Sequence, residues 1–364
     1  MSGIPFASHR DDRDYGTTIL SVLKGAHSVG EGILGFFDTK EACVIRLICA
    51  EFREAVAIVP WADMGTRIWG NVGGWRKSFP RATKVNISVA RAREDLQVRH
   101  NAIVDADFVH FEGIHSLNVS GCNHVGITDT AFVHLKGIHT LIMRSCTQAS
   151  ITDAAFAHLK GIHTLDMLWC SQAGITDAAF VHLNGIHTLN MGGCSQEGIT
   201  DAAFVHLKGI HTLNMTFCTQ AGITDAAFAH LRGIHTLNMT RCSQAGTQAG
   251  ITDAAFVHLK GIHTLDMSGC RQAGITDVAF VHLKGIHTLN MSGCRQTGIT
   301  DAAFVHLKGI HLLNMWGCYQ MGITDAAFIH LKGIHTLYMM DCCQVGITIS
   351  LRDHLRETVP ILTT

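Results

Sequence analysis

Apolar and polar positions recur along most of this chain with a period that belongs to neither a lone helix nor a lone strand. Aligned on the tripeptide Ile-Thr-Asp, the sequence puts Ile127, Ile151, Ile175, Ile199 and Ile223 in one column and continues it with Ile251, Ile275, Ile299 and Ile323. The spacing is 24 residues throughout, except for 28 between Ile223 and Ile251. The four extra residues fall in the stretch 243–250, SQAGTQAG, which reads as a duplicated piece of surface loop, where insertions are tolerated.

Each unit carries its own start and stop signals. In 127–146, ITDTAFVHLKGIHTLIMRSC, Thr128 or Asp129 caps a short helix of about two turns, on which Ala131, Phe132 and Leu135 share an apolar face. Gly137 stands where a left-handed C-terminal residue belongs. Ile138, Leu141 and Met143 then predict a short strand with Leu141 and Met143 inward, closed by Cys146. One strand and one short helix cannot bury an apolar face alone, so neighbouring units must stack into a common core. Strand starts near Ile114, Ile138, Ile162, Ile186, Ile210, Ile234, Ile262, Ile286, Ile310 and Ile334 predict ten parallel strands in a sheet roughly 45 Å long. KVNISVARA, around Val85 to Val89, reads as a degenerate first strand. At the other end Ile347, Leu351 and Leu355 share one helical face, flanked by charged residues, as a polar capping turn requires.

The string IxxLxMxxC followed by ITDxxF resembles the cysteine-containing leucine-rich repeat, although the loop from Cys146 to Ile151 is about two residues longer than that subtype has. The resemblance implies an α/β leucine-rich-repeat solenoid over 103–348, with parallel strands on the concave face and short helices on the convex one. Residues 349–364 form its C-terminal cap.

No 24-residue period precedes the array. Apolar positions at Ile33, Leu34, Phe37, Val44, Ile45, Leu47, Ile48, Phe52, Ala55 and Val56 predict two or three short packed helices, the second capped by Asp38 or Thr39. The run ILGFFDTKEACVIRLICAEFREAV, with Ile48-Cys49, Phe52 and the later Trp61, resembles an F-box, although the leucine-proline pair that opens an F-box is replaced by His27-Ser28-Val29-Gly30. A tail at 1–26, an F-box-like domain at 27–61 and a linker and solenoid cap at 62–102 follow. Trp61, Trp69 and Trp75 bridge to the repeats. The resemblance implies binding of a Skp1-like adaptor through Ile33, Leu34, Phe36, Phe37, Leu47, Cys49 and Phe52.

Composition narrows the function. At 47% hydrophobic and 16% charged the chain is too apolar for disorder, no run approaches 18 apolar residues, and the first 16 residues show no secretory signal. A formal charge of -1 without a basic block argues against a nucleic-acid backbone as partner, and nothing suggests a membrane. Of 13 cysteines, ten recur once per repeat, from Cys122 to Cys342; an odd total placed by the period points to reduced thiols in cytoplasm or nucleus. Stacked in a line, they do not converge as zinc requires. Twenty of the 25 histidines form two further columns, His110 to His330 in the helices and His115 to His335 at the strand starts. Repeat duplication explains both rows without a ligand. Neither cofactor nor catalytic residue is expected. Lysines at the helix ends and aspartates at the helix starts complement the helix dipole.

Repeats differ mainly beside their cysteines. The pairs before it run from Ser120-Gly121 and Arg144-Ser145 to Trp316-Gly317 and Met340-Asp341, and the residues after it include Arg271, Arg295 and Tyr319. Trp169 and Phe217 flank Gly193 one rung away on each side, which predicts a notch between aromatic walls; Trp316, Tyr319, Tyr338 and Met340 predict a second apolar patch. Exposed aromatics and arginines dominate interface energies, so Trp169, Phe217, Arg241, Arg271, Arg295, Trp316, Tyr319 and Tyr338 are the expected contacts with a protein substrate. Together with the F-box resemblance these imply the substrate receptor of a cullin-RING, SCF-type ubiquitin ligase. A plain interaction scaffold and a metal-binding or enzymatic use of the histidine rows are the alternatives.

Overall fold

The computed structural model describes residues 40–42, 46–47, 50–62, 68, 71–88, 103–123, 126–242, 250–342 and 344–363. Twelve parallel strands form one sheet, each paired with its neighbours in sequence order. The first, β1, is Lys84–Asn86. Then come Ser116–Asn118, Thr140–Ile142, Thr164–Asp166, Thr188–Asn190, Thr212–Asn214, Thr236–Asn238, Thr264–Asp266, Thr288–Asn290, Leu312–Asn314 and Thr336–Tyr338, numbered β2 to β11, and β12 is Ile361–Thr363.

Register repeats with the sequence period, Leu189 opposite Leu213 and Leu213 opposite Leu237, and it survives the insertion, with Leu237 opposite Leu265. The degenerate first strand thus exists. β12 has no sequence signature: Ile361–Thr363 is too short for a visible alternation, yet its main chain closes the open edge of β11.

Between strands the chain makes a four-residue α-turn and, in most repeats, continues into a 3-10 turn, as in Asp201–Phe204 followed by Val205–Leu207. Threonine is the cap: Thr200 Oγ1 accepts from the Ala202 N–H at 3.3 Å. The aspartate that follows reaches across to the next repeat. Asp201 accepts from the Thr224 N–H and from its hydroxyl, both at 2.7 Å, so each threonine hydroxyl donates backwards while it caps its own helix. Equivalent bonds run from Asp105–Thr128 to Asp325–Thr348. Their role goes beyond the dipole: they clamp adjacent rungs together. After the helical turns the chain reverses at a glycine such as Gly209, φ +83°, where a Cβ would meet nothing within 4 Å. Conformation, and not space, selects glycine there.

Each rung buries the same set. In one rung Phe204, Leu207, Ile210, Leu213, Met215 and Cys218 are all at most 3% exposed, and their counterparts form one continuous core. The cysteines are buried free thiols that donate to a carbonyl of the preceding rung, as Cys170 Sγ does to Met143 O at 3.0 Å. Burial pushes the thiols of Cys194 and Cys270 up to about 12. A column of buried glutamines lies beside them; Gln220 Nε2 donates to Cys194 O at 2.9 Å. At the C-terminal end the helix Ile349–Thr358 is capped by Thr348 and turns Leu355 into the core.

Ahead of the solenoid, α1 (Ala50–Ile58) and α2 (Val72–Ser78) contribute to a second small cluster of Ala42, Val56, Val59, Trp61, Phe79 and Ala82. Trp75 packs against Phe79 and against Phe111 of the first repeat, so it joins this cluster to the main core. Ile33, Leu34, Phe36, Phe37, Cys49, Trp69 and the helix cap expected at Asp38 or Thr39 lie outside the described residues, as does 243–249. Phe52 falls within α1. Leu47 is exposed. Among the described residues no helix is long and apolar enough to cross a membrane.

Candidate functional site

The turn that follows each strand places one residue, immediately before the cysteine, in the left-handed region. Glycine fills it at Gly121, Gly193, Gly269, Gly293 and Gly317, with φ between 62° and 71°. Ser145, Trp169, Phe217, Arg241 and Asp341 adopt the same conformation at φ 51–59°. For a residue with a side chain this costs roughly 1–2 kcal/mol, and for a bulky ring it is a genuine outlier. Trp169, Phe217 and Arg241 therefore project from the C-terminal edge of the sheet against a local preference for glycine.

The expected notch at Gly193 is filled. The Trp169 ring leans over the glycine, where a Cβ would lie 2.2 Å from it, and meets Phe217 with ring centroids 5.6 Å apart. Space left by a missing side chain is taken up by neighbouring rings, because their contact removes apolar surface from water. Arg241 continues the row, its guanidinium 5.5 Å from the centre of Phe217.

The groove lies further along, over the consecutive glycines Gly269, Gly293 and Gly317; the Arg241 side chain covers the first, where a Cβ would lie 2.8 Å from its Cγ, and the floor is open at the other two. It has a volume of about 820 Å³ and is bounded by Phe217 and Arg241 at one end and Trp316 and Asp341 at the other. These walls stand three rungs apart and cannot meet as Trp169 and Phe217 do. Arg271, Arg295 and Tyr319, which follow their cysteines, and Ser268 and Ser292, which precede theirs, complete the lining. Arg295 stacks on Tyr319 at 5.1 Å, and Trp316 Nε1 donates to Asp341 Oδ2 at 2.9 Å. Trp316 is 53% and Tyr319 46% exposed. Beside the floor, Asp266 accepts from Thr240 Oγ1, Ser268 N, Ser268 Oγ and Asn290 Nδ2.

The structure thus brings six of the eight expected contact residues to one groove. Trp169 stands behind Phe217, and Tyr338 lies on the sheet face opposite Asn314, outside the lining. The glycine floor and Asp341 join the groove without being among the expected contacts; their signal in the sequence is the run of glycines in adjacent repeats.

At the opposite, N-terminal edge the histidines from His115 to His335 stack ring on ring, with centroids 4.3–4.6 Å apart and planes within 20° of parallel. Each Nδ1 from His139 onward faces the next hydroxyl where threonine follows, as His211 does Thr212 at 3.1 Å. Partial burial between the rings, then repulsion from stacked neighbours, holds His139, His211 and His311 below the ordinary imidazole range. Among the described residues no three His, Cys, Asp or Glu side chains converge on a point where a metal would bind.

No protein-family model matches the chain, and no curated protein matches it. Solved structures do. The TLR13 of a TLR13–ssRNA13 complex superposes with a TM-score of 0.59 at 18% identity over 78% of this chain and 39% of its own. Mouse RP105, from a complex with MD-1, gives 0.57 at 15% over 85% and 59%. An internalin from Listeria monocytogenes gives 0.51 at 15% over 72% and 69%. The chain spans about two-fifths of the length of the TLR13 and Drosophila Toll chains it matches. The fold is that of a leucine-rich-repeat solenoid.

Proposed function

We propose that this chain is a protein-binding receptor that holds its partner in the groove between Arg241 and Asp341. The observation that carries this is the row of bulky side chains kept in a left-handed turn position beside an open floor of glycines in the same position. Strain of that kind marks places where a side chain serves something other than local stability. The aromatic and arginine lining fits the residue types on which protein interfaces concentrate their energy. Replacing Phe217 and Trp316 by alanine should abolish capture of a protein partner from the native cell, whereas replacing the exposed Val205 and Val257 on the helical side should not. Equal losses from both pairs would place the interface elsewhere.

The finer reading is the substrate receptor of an SCF-type ubiquitin ligase, with the N-terminal segment holding a Skp1-like adaptor. It rests on the F-box-like sequence from Ile33 to Phe52 and on an exposed Leu47 suited to a contact surface. Because Trp61 packs against Phe79, point replacements test this better than a deletion through residue 61. Leu47→Asp should lower capture of purified Skp1 while the melting temperature stays unchanged. Absence of Skp1 binding to the intact chain at micromolar concentration removes the ligase role and leaves the interaction scaffold.

A further inference from the structure

The groove carries a charge pattern that says what kind of segment enters it. Arg241, Arg271 and Arg295 are all exposed, and none forms an ion pair among the described residues. The two nearby carboxylates are engaged: Asp341 by the indole of Trp316, Asp266 by four donors around the floor. Two of the guanidiniums are held in place by ring faces, Arg241 on Phe217 and Arg295 on Tyr319. Stacking leaves the N–H edge of each guanidinium pointing away from the ring and available to a carboxylate.

Dimensions narrow the occupant. From the Arg241 rung to the Trp316 rung is three strand spacings, roughly 14 Å, which an extended chain covers in about four residues. Arg271 and Arg295 hold equivalent places in adjacent repeats, on one side of this path. We infer that the groove receives an extended acidic segment of a partner protein, with carboxylates on Arg271 and Arg295 and the chain lying over Gly293 and Gly317, beside the Arg241 side chain that covers Gly269. The glycines matter because a segment can lie flat only where no Cβ rises from the floor; at Gly293 and Gly317 that space is open. A single-stranded nucleic acid fits less well, since its backbone needs a basic track along its whole path and the chain as a whole has a formal charge of -1.

This inference rests on the groove being the binding surface, and the test separates the two. A displayed library of random short peptides is selected against the full chain, and against Arg271→Gln/Arg295→Gln and Phe217→Ala/Trp316→Ala variants whose melting temperatures match the parent. Enrichment of Asp and Glu is expected, with affinity falling about tenfold or more in the arginine variant and with rising salt. Charge reversal, Arg271→Glu/Arg295→Glu, should shift the enrichment to Lys and Arg. Neutral or basic peptides that are lost in the aromatic variant would overturn the acidic inference and leave the groove standing. Peptides that bind all variants equally would overturn both. No enrichment, or displacement of the selected peptides by a single-stranded RNA at lower concentration than by the peptides themselves, would also overturn the inference.

Discussion

At the N-terminal edge of the sheet ten imidazoles stand in one column with nearly the same surroundings in every repeat; at the C-terminal edge one backbone position carries Gly, Ser, Trp, Phe, Arg or Asp. Both edges belong to the same 24-residue unit. A column that repeats presents one group about every 4.8 Å and offers no rung in preference to another. A ligand that binds at one place needs rungs that differ, and only the second edge supplies them. The contrast is also one of backbone strain: the histidine column stacks parallel rings with no histidine at positive φ among the described residues, whereas the groove edge keeps bulky residues there.

Acidification acts on the uniform edge. Folded His139, His211 and His311 sit below the ordinary imidazole range, so the unfolded chain takes up more protons as pH falls. Stability is therefore complete above about pH 6.5 and lost progressively below it. Melting temperatures at pH 7.5 and 5.5 test this; an equal or higher value at 5.5 would show that the column bears its charge without penalty. Next, Trp316→Ala should weaken partner binding by about 2 kcal/mol, roughly thirtyfold, in titration calorimetry, while His211→Gln leaves affinity unchanged. Loss in the histidine variant would mean that both edges touch the partner.

Asp201→Asn tests what holds the two edges in common register. It disturbs the bonds to Thr224 N, Thr224 Oγ1 and Ala227 N, and should lower unfolding stability by about 1–2 kcal/mol in denaturant titration with no change in affinity. The smallest stability change is expected for Arg241→Gly. Relief of the left-handed strain and loss of the contact with Phe217 nearly cancel, so stability should stay within about 1 kcal/mol of the parent. Affinity should nonetheless fall, and a variant that binds as well as the parent would remove Arg241 from the site.

Periodicity alone settled the solenoid, the inward residues such as Leu213 and Met215, the cysteine column and the glycine turn at Gly209, because each follows from short-range rules repeated at a fixed interval. The sequence also pointed to the variable positions beside the cysteines. What only the tertiary structure decided is how neighbouring rungs use one another's space. Asp201 pairs with a threonine in the next repeat, Trp169 closes the gap above Gly193, and Ile361–Thr363 adds a strand with no pattern of its own. The groove opens over Gly293 and Gly317 for the same reason: its width is set by Arg241 and Trp316, which stand three rungs apart, a property of the stack that no single repeat contains.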